Sequence, residues 1–317
     1  MPHPSTLVGR MAREYCFVMM QKAKNRRLPV FATNMARPDA PWSRMELFTV
    51  TDACTGCGLC AAACPASLVR QAKPGDAPHA LPGREAHCIR CGHCVIACPK
   101  RAFVHALLPA EAFEPIRRKD LPTPAVLRHL LMARRSCRTY VPETLFRQAI
   151  LGLIESVRHA PTGHNMREVG WVVVDGPERM DAARTLVLDW IAAEVAADTP
   201  KAAELHLAGA ARAAARGKDV IFRGAPHVVV AHAPALGISP EVDAVIAASW
   251  LEIAAAAAGY AACWCGYLMF ALASHPPVGQ ALGIPAGNTG YAALLLGKPA
   301  TRIKWIPPRD MPEVTFF

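Results

Sequence analysis

The chain has 317 residues, 52% of them hydrophobic, and this length allows one substantial domain together with a smaller one. Its net charge of +10 is uneven: residues 1–44 carry +6, residues 45–110 carry +2 and the remainder carries +2. Because no predicted element carries a basic stripe, the charge does not indicate a nucleic-acid partner. The uncharged stretch from Ile253 to Ala273 is long enough to cross a bilayer. Its Ala, Gly, Cys and Tyr content instead predicts a buried helix followed by a turn, so no membrane partner is expected.

Residues 1–45 form a basic extension ahead of the first recognisable motif. The apolar run Tyr15 to Met20 is too short for the core of a secretory signal, and no small-residue cleavage site follows it. We expect this extension to be disordered or not to belong to the native protein.

The spacing C-x2-C-x2-C-x3-C-P occurs twice, at residues 54–65 and 88–99. Three cysteines in steps of three surround a compact inorganic core from one loop, and the fourth points away, which is the pattern of the two-cluster bacterial ferredoxins. In that pattern the fourth cysteine of each motif serves the other cluster. The resemblance implies two [4Fe-4S] clusters, one held by Cys54, Cys57, Cys60 and Cys98, and the other by Cys88, Cys91, Cys94 and Cys64.

The alternative for these cysteines is a pair of structural zinc sites, since C-x2-C pairs also bind zinc. Eight cysteines in this grouping offer zinc too many ligands in the wrong arrangement, so the cluster interpretation is favoured. Because thiolates of this kind need reducing conditions, a cytoplasmic location is expected.

Around the motifs, short strands are predicted at Leu47 to Val50 and Phe103 to His105, with a helical turn at Ser67 to Gln71. Residues 46–107 are therefore predicted to form a small ferredoxin domain. Residues 108–123 follow as a proline-rich linker, which is semi-rigid because each proline restricts its own φ.

Residues 124–317 change to Ala- and Leu-rich amphipathic segments separated by β-branched runs, which predicts an α+β domain. The predicted helices span 124–133, 143–158, 177–197, 200–216 and 240–258. The predicted strands span Val169 to Val174, His227 to His232 and Tyr291 to Leu296.

An arginine cluster follows the first of these helices, in the sequence ARRSCRTYVPE from Ala133. Three guanidinium groups and a hydroxyl within five residues are suited to bidentate binding of a phosphate. The segments APTGHN, GYAACWCG and a C-terminal run ending in KPATRIKW follow in that order. Together they resemble the nitroreductase family of FMN-dependent oxidoreductases, in members that carry an N-terminal two-cluster ferredoxin. This resemblance implies a mixed sheet flanked by helices.

By the same resemblance, three groups of residues would bind FMN. Arg134 and Ser136 would hold the phosphate and ribityl chain, and Arg302 and Lys304 would complete the phosphate site. Arg138 would lie beside the pyrimidine edge of the flavin ring, and Arg135 is also expected to bind the cofactor. The neighbouring subunit's flavin would contact Pro161, Thr162, Gly163 and Asn165. The flavin ring would lie along Cys263, Trp264, Cys265 and Gly266. A homodimer with FMN at the interface is implied.

The expected activity is transfer of electrons from a low-potential donor such as ferredoxin, through the two clusters and FMN, to a small acceptor. Nitroaromatic, quinone, enone and flavin acceptors all remain open. Two alternatives also stay open: an electron-transfer or flavin-handling protein without its own turnover, and a flavoprotein whose clusters are only structural. Cys263 and Cys265 are expected to pack and His164 to line the site, with a chemical role for any of them left open.

Overall fold

The computed structural model describes residues 40–317, so most of the predicted basic extension lies outside the described residues. The chain divides into two compact units between Pro115 and Ile116. Within the described part, no helix combines the length and the apolar character needed to cross a membrane.

Within residues 40–115, the N-terminal unit contains four short strands and two short α-helices. These are β1 (Phe48–Val50), α1 (Leu59–Ala62), β2 (Val69–Arg70), β3 (His79–Ala80), α2 (His93–Ile96) and β4 (Phe103–His105). Strand β1 pairs antiparallel with β4, and β2 pairs antiparallel with β3. The two strands predicted beside the cysteine motifs are thus present and pair with each other.

The helical turn predicted at Ser67 to Gln71 is wrong, because Val69 and Arg70 form β2. Ser67 has a left-handed backbone, with φ of 53°, so it lies outside the right-handed helical conformation that the prediction requires. Leu68 and Val69 are both buried, so the segment is held by its contacts with the core of the unit.

The core of this unit extends before residue 46. Trp42 is buried there with Leu47, Phe48 and Phe103, and the rings of Phe48 and Phe103 stack with centroids 4.3 Å apart. The Arg90 guanidinium lies 4.2 Å from the centre of the Trp42 ring, a distance typical of a cation–π contact. The end of the predicted basic extension therefore packs on the N-terminal unit.

The C-terminal unit contains one four-stranded antiparallel sheet with helices on both faces. Its elements are α3 (Pro124–Ala133), α4 (Arg147–Val157), β5 (Gly170–Asp175), α5 (Pro177–Ala196), α6 (Pro200–Glu204), α7 (Leu207–Ala215), β6 (His227–Pro234), α8 (Pro240–Ala257), β7 (Ala261–Trp264), α9 (Gly266–Ser274), α10 (Pro276–Ala281) and β8 (Asn288–Gly297). The strand order is β5-β6-β8-β7. The three predicted strands correspond to β5, β6 and β8.

Successive side chains of the two central strands, β6 and β8, pack alternately into two hydrophobic cores, one on each face of the sheet. On β6, Val228 and Val230 pack with α5, α7 and α9, whereas Val229 and Ala231 pack with α4 and α8. Side chains point alternately to opposite faces of a strand, so both faces of this sheet are covered and β6 reads as a continuous apolar run.

Three segments that were predicted to be helical differ from the structure. The helix predicted from residue 143 begins at Arg147. The helix predicted over 200–216 is interrupted at His206, whose left-handed φ of 53° separates α6 from α7. The helix and turn predicted for Ile253 to Ala273 are instead the end of α8, the strand β7 and most of α9. Gly259, with φ of 77°, reverses the direction of the chain there. The four residues of β7 then pair with β8 along the edge of the sheet.

Candidate functional site

The eight motif cysteines line two separate cavities in the N-terminal unit. One cavity is lined by Cys54, Cys57, Cys60 and Cys98. The other is lined by Cys64, Cys88, Cys91 and Cys94. The fourth cysteine of each motif thus lies beside the triplet of the other motif. Among residues 40–317, no group of three His, Cys, Asp or Glu side chains is arranged to hold a single metal ion. That the eight sulfurs bind iron stays a prediction.

Local backbone geometry turns the sulfurs toward these cavities. Gly58 and Gly92 start α1 and α2 with φ of 76° and 77°, a left-handed conformation that glycine adopts without a steric penalty. Backbone N–H groups also point at the sulfurs. The Leu68 N–H donates to Cys64 Sγ at 3.3 Å, and the Ala102 N–H donates to Cys98 Sγ at 3.2 Å. Such donors stabilise a thiolate, so this backbone suits anionic sulfur ligands.

Burial raises the pKa of the thiols of Cys60, Cys88 and Cys94, that of Cys94 to about 12, and other cysteines of the same group raise it further. Crowded thiolates repel one another, and low polarity increases that repulsion. A positively charged centre would compensate it, so each four-cysteine group fits an iron–sulfur cluster.

In the C-terminal unit, the arginine segment and β7 meet on one buried carboxylate. Arg134 Nη1 lies 2.8 Å from Glu252 Oε1, and Trp264 Nε1 donates to Glu252 Oε2 at 3.2 Å. The Cys137 N–H also donates to the Ala262 carbonyl at 3.0 Å. The structure thus brings together two of the segments that the family resemblance assigns to FMN.

Glu252 was not predicted from the sequence. It is the one charged residue in the stretch 244–257 of α8, and only 7% of its surface is exposed. A lone carboxylate inside an apolar helical run is the signal that could have identified it, because a buried charge requires partners.

Around this pair the other predicted residues differ in exposure. Arg135 and Ser136 are half-buried, whereas Arg138 is exposed. Burial raises the pKa of the Cys263 thiol, although the positive charges of Arg138 and Arg223 oppose the rise. Arg223 is therefore a further cation near Cys263, and it was not predicted from the sequence.

Cys265 is buried, and burial raises the pKa of its thiol to about 12. Its Sγ donates to the Ile221 carbonyl at 3.6 Å, and its N–H donates to the Ala293 carbonyl at 2.9 Å. A buried, protonated thiol is a poor nucleophile, so these contacts favour a packing role.

The chain after β8 returns to the arginine segment. The Val141 N–H donates to the Lys298 carbonyl at 3.0 Å, and the Ala300 N–H donates to the Thr139 carbonyl at 3.1 Å. Arg302 and Lys304 follow this paired stretch and are exposed. The backbone thus brings them near the segment, while no described contact joins them to Arg134.

The APTGHN turn is anchored at the first turn of α8. The Gly163 N–H donates to Asp243 Oδ1 at 2.9 Å, and Ser239 Oγ donates to the same oxygen at 2.8 Å. A Cβ atom on residue 163 would overlap Ser239 Oγ, so this position requires glycine. His164 and Asn165 both have left-handed backbones, with φ of 50° and 54°, and such local strain is typical of functional turns.

The predicted FMN residues consequently form two separate groups within one chain. The turn at 161–165 contacts Asp243 near the start of α8, whereas Arg134 contacts Glu252 near its end. Glu252 follows Asp243 by nine positions on this helix, which is about 14 Å along the axis at 1.5 Å per residue. Pro161, Thr162, Gly163 and Asn165 are therefore not beside the arginine segment of the same chain.

Comparison with known proteins identifies both units. The sequence model of the Nitroreductase family matches residues 131–298, and that of a 4Fe-4S dicluster domain matches residues 53–103. No curated protein matches the chain significantly.

Several solved structures are similar to part of this chain. A nitroreductase with bound FMN from Bacteroides fragilis NCTC 9343 is 21% identical, with 61% of this chain and 100% of that chain covered and a TM-score of 0.48. A nitroreductase with bound FMN from Desulfitobacterium hafniense DCB-2 is 25% identical, with 60% and 97% covered and a TM-score of 0.48. A BluB-like flavoprotein from Clostridium difficile 630 is 18% identical, with 59% and 94% covered and a TM-score of 0.47.

Proposed function

This chain belongs to the nitroreductase family of flavin-dependent oxidoreductases, and from that membership we propose that it passes electrons through two [4Fe-4S] clusters and FMN to a small acceptor. When bound, the clusters supply one-electron transfer and FMN supplies two-electron reduction of an acceptor. The observation that carries the proposal is the crossed grouping of eight cysteines in a chain that also contains a nitroreductase domain.

In the proposal the cysteine side chains hold two clusters, one in each cavity. Cys98 joins the group of Cys54, Cys57 and Cys60, and Cys64 joins the group of Cys88, Cys91 and Cys94. The N–H groups of Leu68 and Ala102 hold the sulfurs of Cys64 and Cys98 in place and stabilise their negative charge.

Arg134 is proposed to hold the FMN phosphate, with Arg135, Ser136, Arg138, Arg302 and Lys304 contributing further donors. Glu252 fixes Arg134 by binding Nη1, which leaves the other guanidinium N–H groups for an anion. Backbone N–H groups of the Cys263 to Gly266 segment would lie along the ring and stabilise negative charge on it.

We propose that the active form is a homodimer in which the turn at 161–165 completes the site of the partner. The separation of this turn from Arg134 along α8 supports this arrangement. Helix α3 supports it as well, since none of its residues is buried and Val126, Leu127, Leu131 and Met132 are exposed. An apolar helix face of this kind is the usual mark of a protein interface.

The proposed electron donor is a reduced ferredoxin rather than NADH or NADPH. A fused iron–sulfur unit would be superfluous if hydride from a nicotinamide reduced the flavin directly. The acceptor is a small molecule of the nitroaromatic, quinone, enone or flavin class.

The test uses the full chain purified without oxygen. We expect about eight iron atoms and one FMN per chain, as two [4Fe-4S] clusters require. Reduced ferredoxin should support steady-state reduction of an acceptor, and NADPH should support little. Stoichiometric zinc with little iron would refute the cluster assignment.

Replacing Cys57 and Cys91 with Ala separates the remaining alternatives. Loss of ferredoxin-driven turnover with FMN retained supports the proposed route. Turnover that is unchanged would mean that the clusters are structural. Flavin reduction without turnover of any acceptor class would instead indicate an electron-transfer or flavin-handling protein.

A further inference from the structure

His105 is a buried histidine at the end of β4 that lies beside a cysteine of the second group. Its Nε2 is 3.6 Å from Cys88 Sγ, and only 4% of the residue is exposed. A distance of this size is within the range of a hydrogen bond to sulfur. The ring is thus aimed at one of the eight motif cysteines from outside the cysteine loops.

The contacts of the ring determine which nitrogen carries the proton. The Leu107 N–H donates to Nδ1 of His105 at 3.1 Å, so Nδ1 is an acceptor. In a neutral imidazole the other nitrogen then carries the hydrogen. Nε2 is therefore the donor, and the N–H bond is directed toward Cys88 Sγ.

The sequence repeat provides an internal comparison. Each cysteine of the second motif follows its counterpart by 34 residues, as Cys88 follows Cys54, and the sulfur-binding N–H groups of Leu68 and Ala102 obey the same offset. By this offset the counterpart of His105 is Gln71.

Gln71 makes different contacts from His105. Its Nε2 donates to the Gly56 carbonyl at 2.5 Å and to the Asp76 carbonyl at 2.8 Å. At this repeat position, the side chain of the first half, Gln71, therefore binds backbone carbonyls, whereas the side chain of the second half, His105, points at a sulfur atom. The repeat holds the two cysteine groups in similar frames but gives a side-chain N–H donor to one of them.

We propose that His105 donates a hydrogen bond from Nε2 to the Cys88 thiolate and thereby raises the reduction potential of the cluster held by Cys64, Cys88, Cys91 and Cys94, and of that cluster alone. The inference rests on the proposed cluster ligands. Reduction adds negative charge that is shared by the cysteine sulfurs, and a donor to sulfur stabilises the more negative state. His105 is thus a positioning residue that makes the two electron sites unequal.

The experiment is a redox titration of the anaerobic full-length protein, followed by electron paramagnetic resonance. Absence of reducible [4Fe-4S] clusters in the wild type would contradict the proposed function, whereas two reducible clusters with the same midpoint potential would contradict this inference. His105→Phe retains a planar ring and removes the N–H donor. We expect it to lower one midpoint potential and leave the other unchanged. The shift should persist when Cys57→Ser removes a ligand from the other cluster.

Two further variants show whether the hydrogen bond itself is responsible. His105→Gln keeps a side-chain N–H, so its midpoint potential should lie between those of the wild type and His105→Phe. His93→Phe is the matched control, because His93 belongs to the same cysteine loop but is exposed, and it should shift neither potential. Equal shifts of both clusters, no shift in His105→Phe, or an equal shift in His93→Phe would overturn the inference.

A second measurement does not depend on the stability of the variants. Protein labelled with 15N-histidine and reduced anaerobically should show a histidine nitrogen coupled to one cluster by hyperfine spectroscopy. The coupling should persist in labelled His93→Phe. Absence of any histidine coupling in the reduced wild type would also overturn the inference.

Discussion

Glu252 Oε1 lies 2.8 Å from Arg134 Nη1, and the two residues are 118 positions apart in the sequence. This pair joins the end of α3 to the interior of α8, and the second oxygen of Glu252 extends the contact to Trp264 on β7. Three elements that flank the proposed phosphate site are thus fixed by one carboxylate. A buried carboxylate is costly unless it is fully paired, so Arg134 is held firmly in this position.

Replacing Glu252 with Gln tests this relationship. Glutamine retains the shape but loses the negative charge, so Arg134 should become less ordered and FMN should bind about tenfold to a hundredfold more weakly, as expected for loss of a charged hydrogen bond worth about 1.5–3 kcal/mol. The measurement is the FMN dissociation constant of the apoprotein. Glu155→Gln is the control, because Glu155 pairs with Arg158 on the exposed surface of α4. Tighter FMN binding in Glu252→Gln would mean that Glu252 competes with the phosphate.

The crossed cysteine grouping predicts which cluster a single substitution damages. Cys98 lies in the second motif but lines the cavity of the first triplet. Cys98→Ser should therefore perturb the cluster held by Cys54, Cys57 and Cys60, whereas Cys64→Ser should perturb the other. Iron analysis and electron paramagnetic resonance of both variants measure the effect. Damage that follows sequence proximity, with Cys98→Ser matching Cys91→Ser, would contradict the grouping.

Sequence patterns predicted three of the four strands of the C-terminal sheet and missed the edge strand β7. Strands β6 and β8 are long apolar runs bounded by turns, and both were predicted near their observed places. Strand β7 was missed because its four residues, AACW, contain no β-branched side chain and stand between two apolar helices. Its conformation comes from pairing with β8, a contact between distant parts of the chain that local periodicity does not report.

The candidate sites, too, were predicted where their pattern is local in sequence and missed where it depends on contacts between distant residues. The cysteine spacing and the order of the flavin motifs could be predicted because they are local in sequence. Glu252 and Arg223 could not be assigned, because their role depends on partners that only the fold brings near. His105 was predicted to lie in a strand, but its contact with Cys88 joins residues 17 positions apart that only the fold brings together.

Because of the buried position of His227, we expect the C-terminal unit to lose stability in mild acid. The residue is fully buried, its Nε2 accepts the Leu145 N–H at 2.8 Å, and Asp175 Oδ1 lies 3.3 Å from Nδ1. Burial lowers the pKa of His227, although Asp175 opposes this. The unfolded chain therefore binds the proton first, so this contribution to stability is present above pH of about 6.5 and is lost as the pH falls below it.

The measurement for His227 is the urea midpoint of the full chain, followed by tryptophan fluorescence between pH 8 and pH 5. His227→Gln should be less stable at pH 8, because a core contact is disturbed, and should lose less stability on acidification than the wild type. His159→Gln, at an exposed position, is the control and should keep the wild-type slope. Equal slopes in the wild type and His227→Gln would show that another group governs the acid response.

The exposed face of α3 predicts that dimerisation and FMN binding fail together. Leu127 and Leu131 are one turn apart on this helix, with 43% and 47% of their surfaces exposed in the single chain. Replacing both with Glu would place two charges in the proposed interface, where desolvation makes them costly. Light scattering should show a monomer, and the FMN dissociation constant should rise at least tenfold because the partner's turn at 161–165 is no longer supplied. Arg179→Glu, at an exposed position of α5, should remain dimeric with normal FMN affinity. A monomeric double variant that still binds FMN like the wild type would show that one chain completes the site alone.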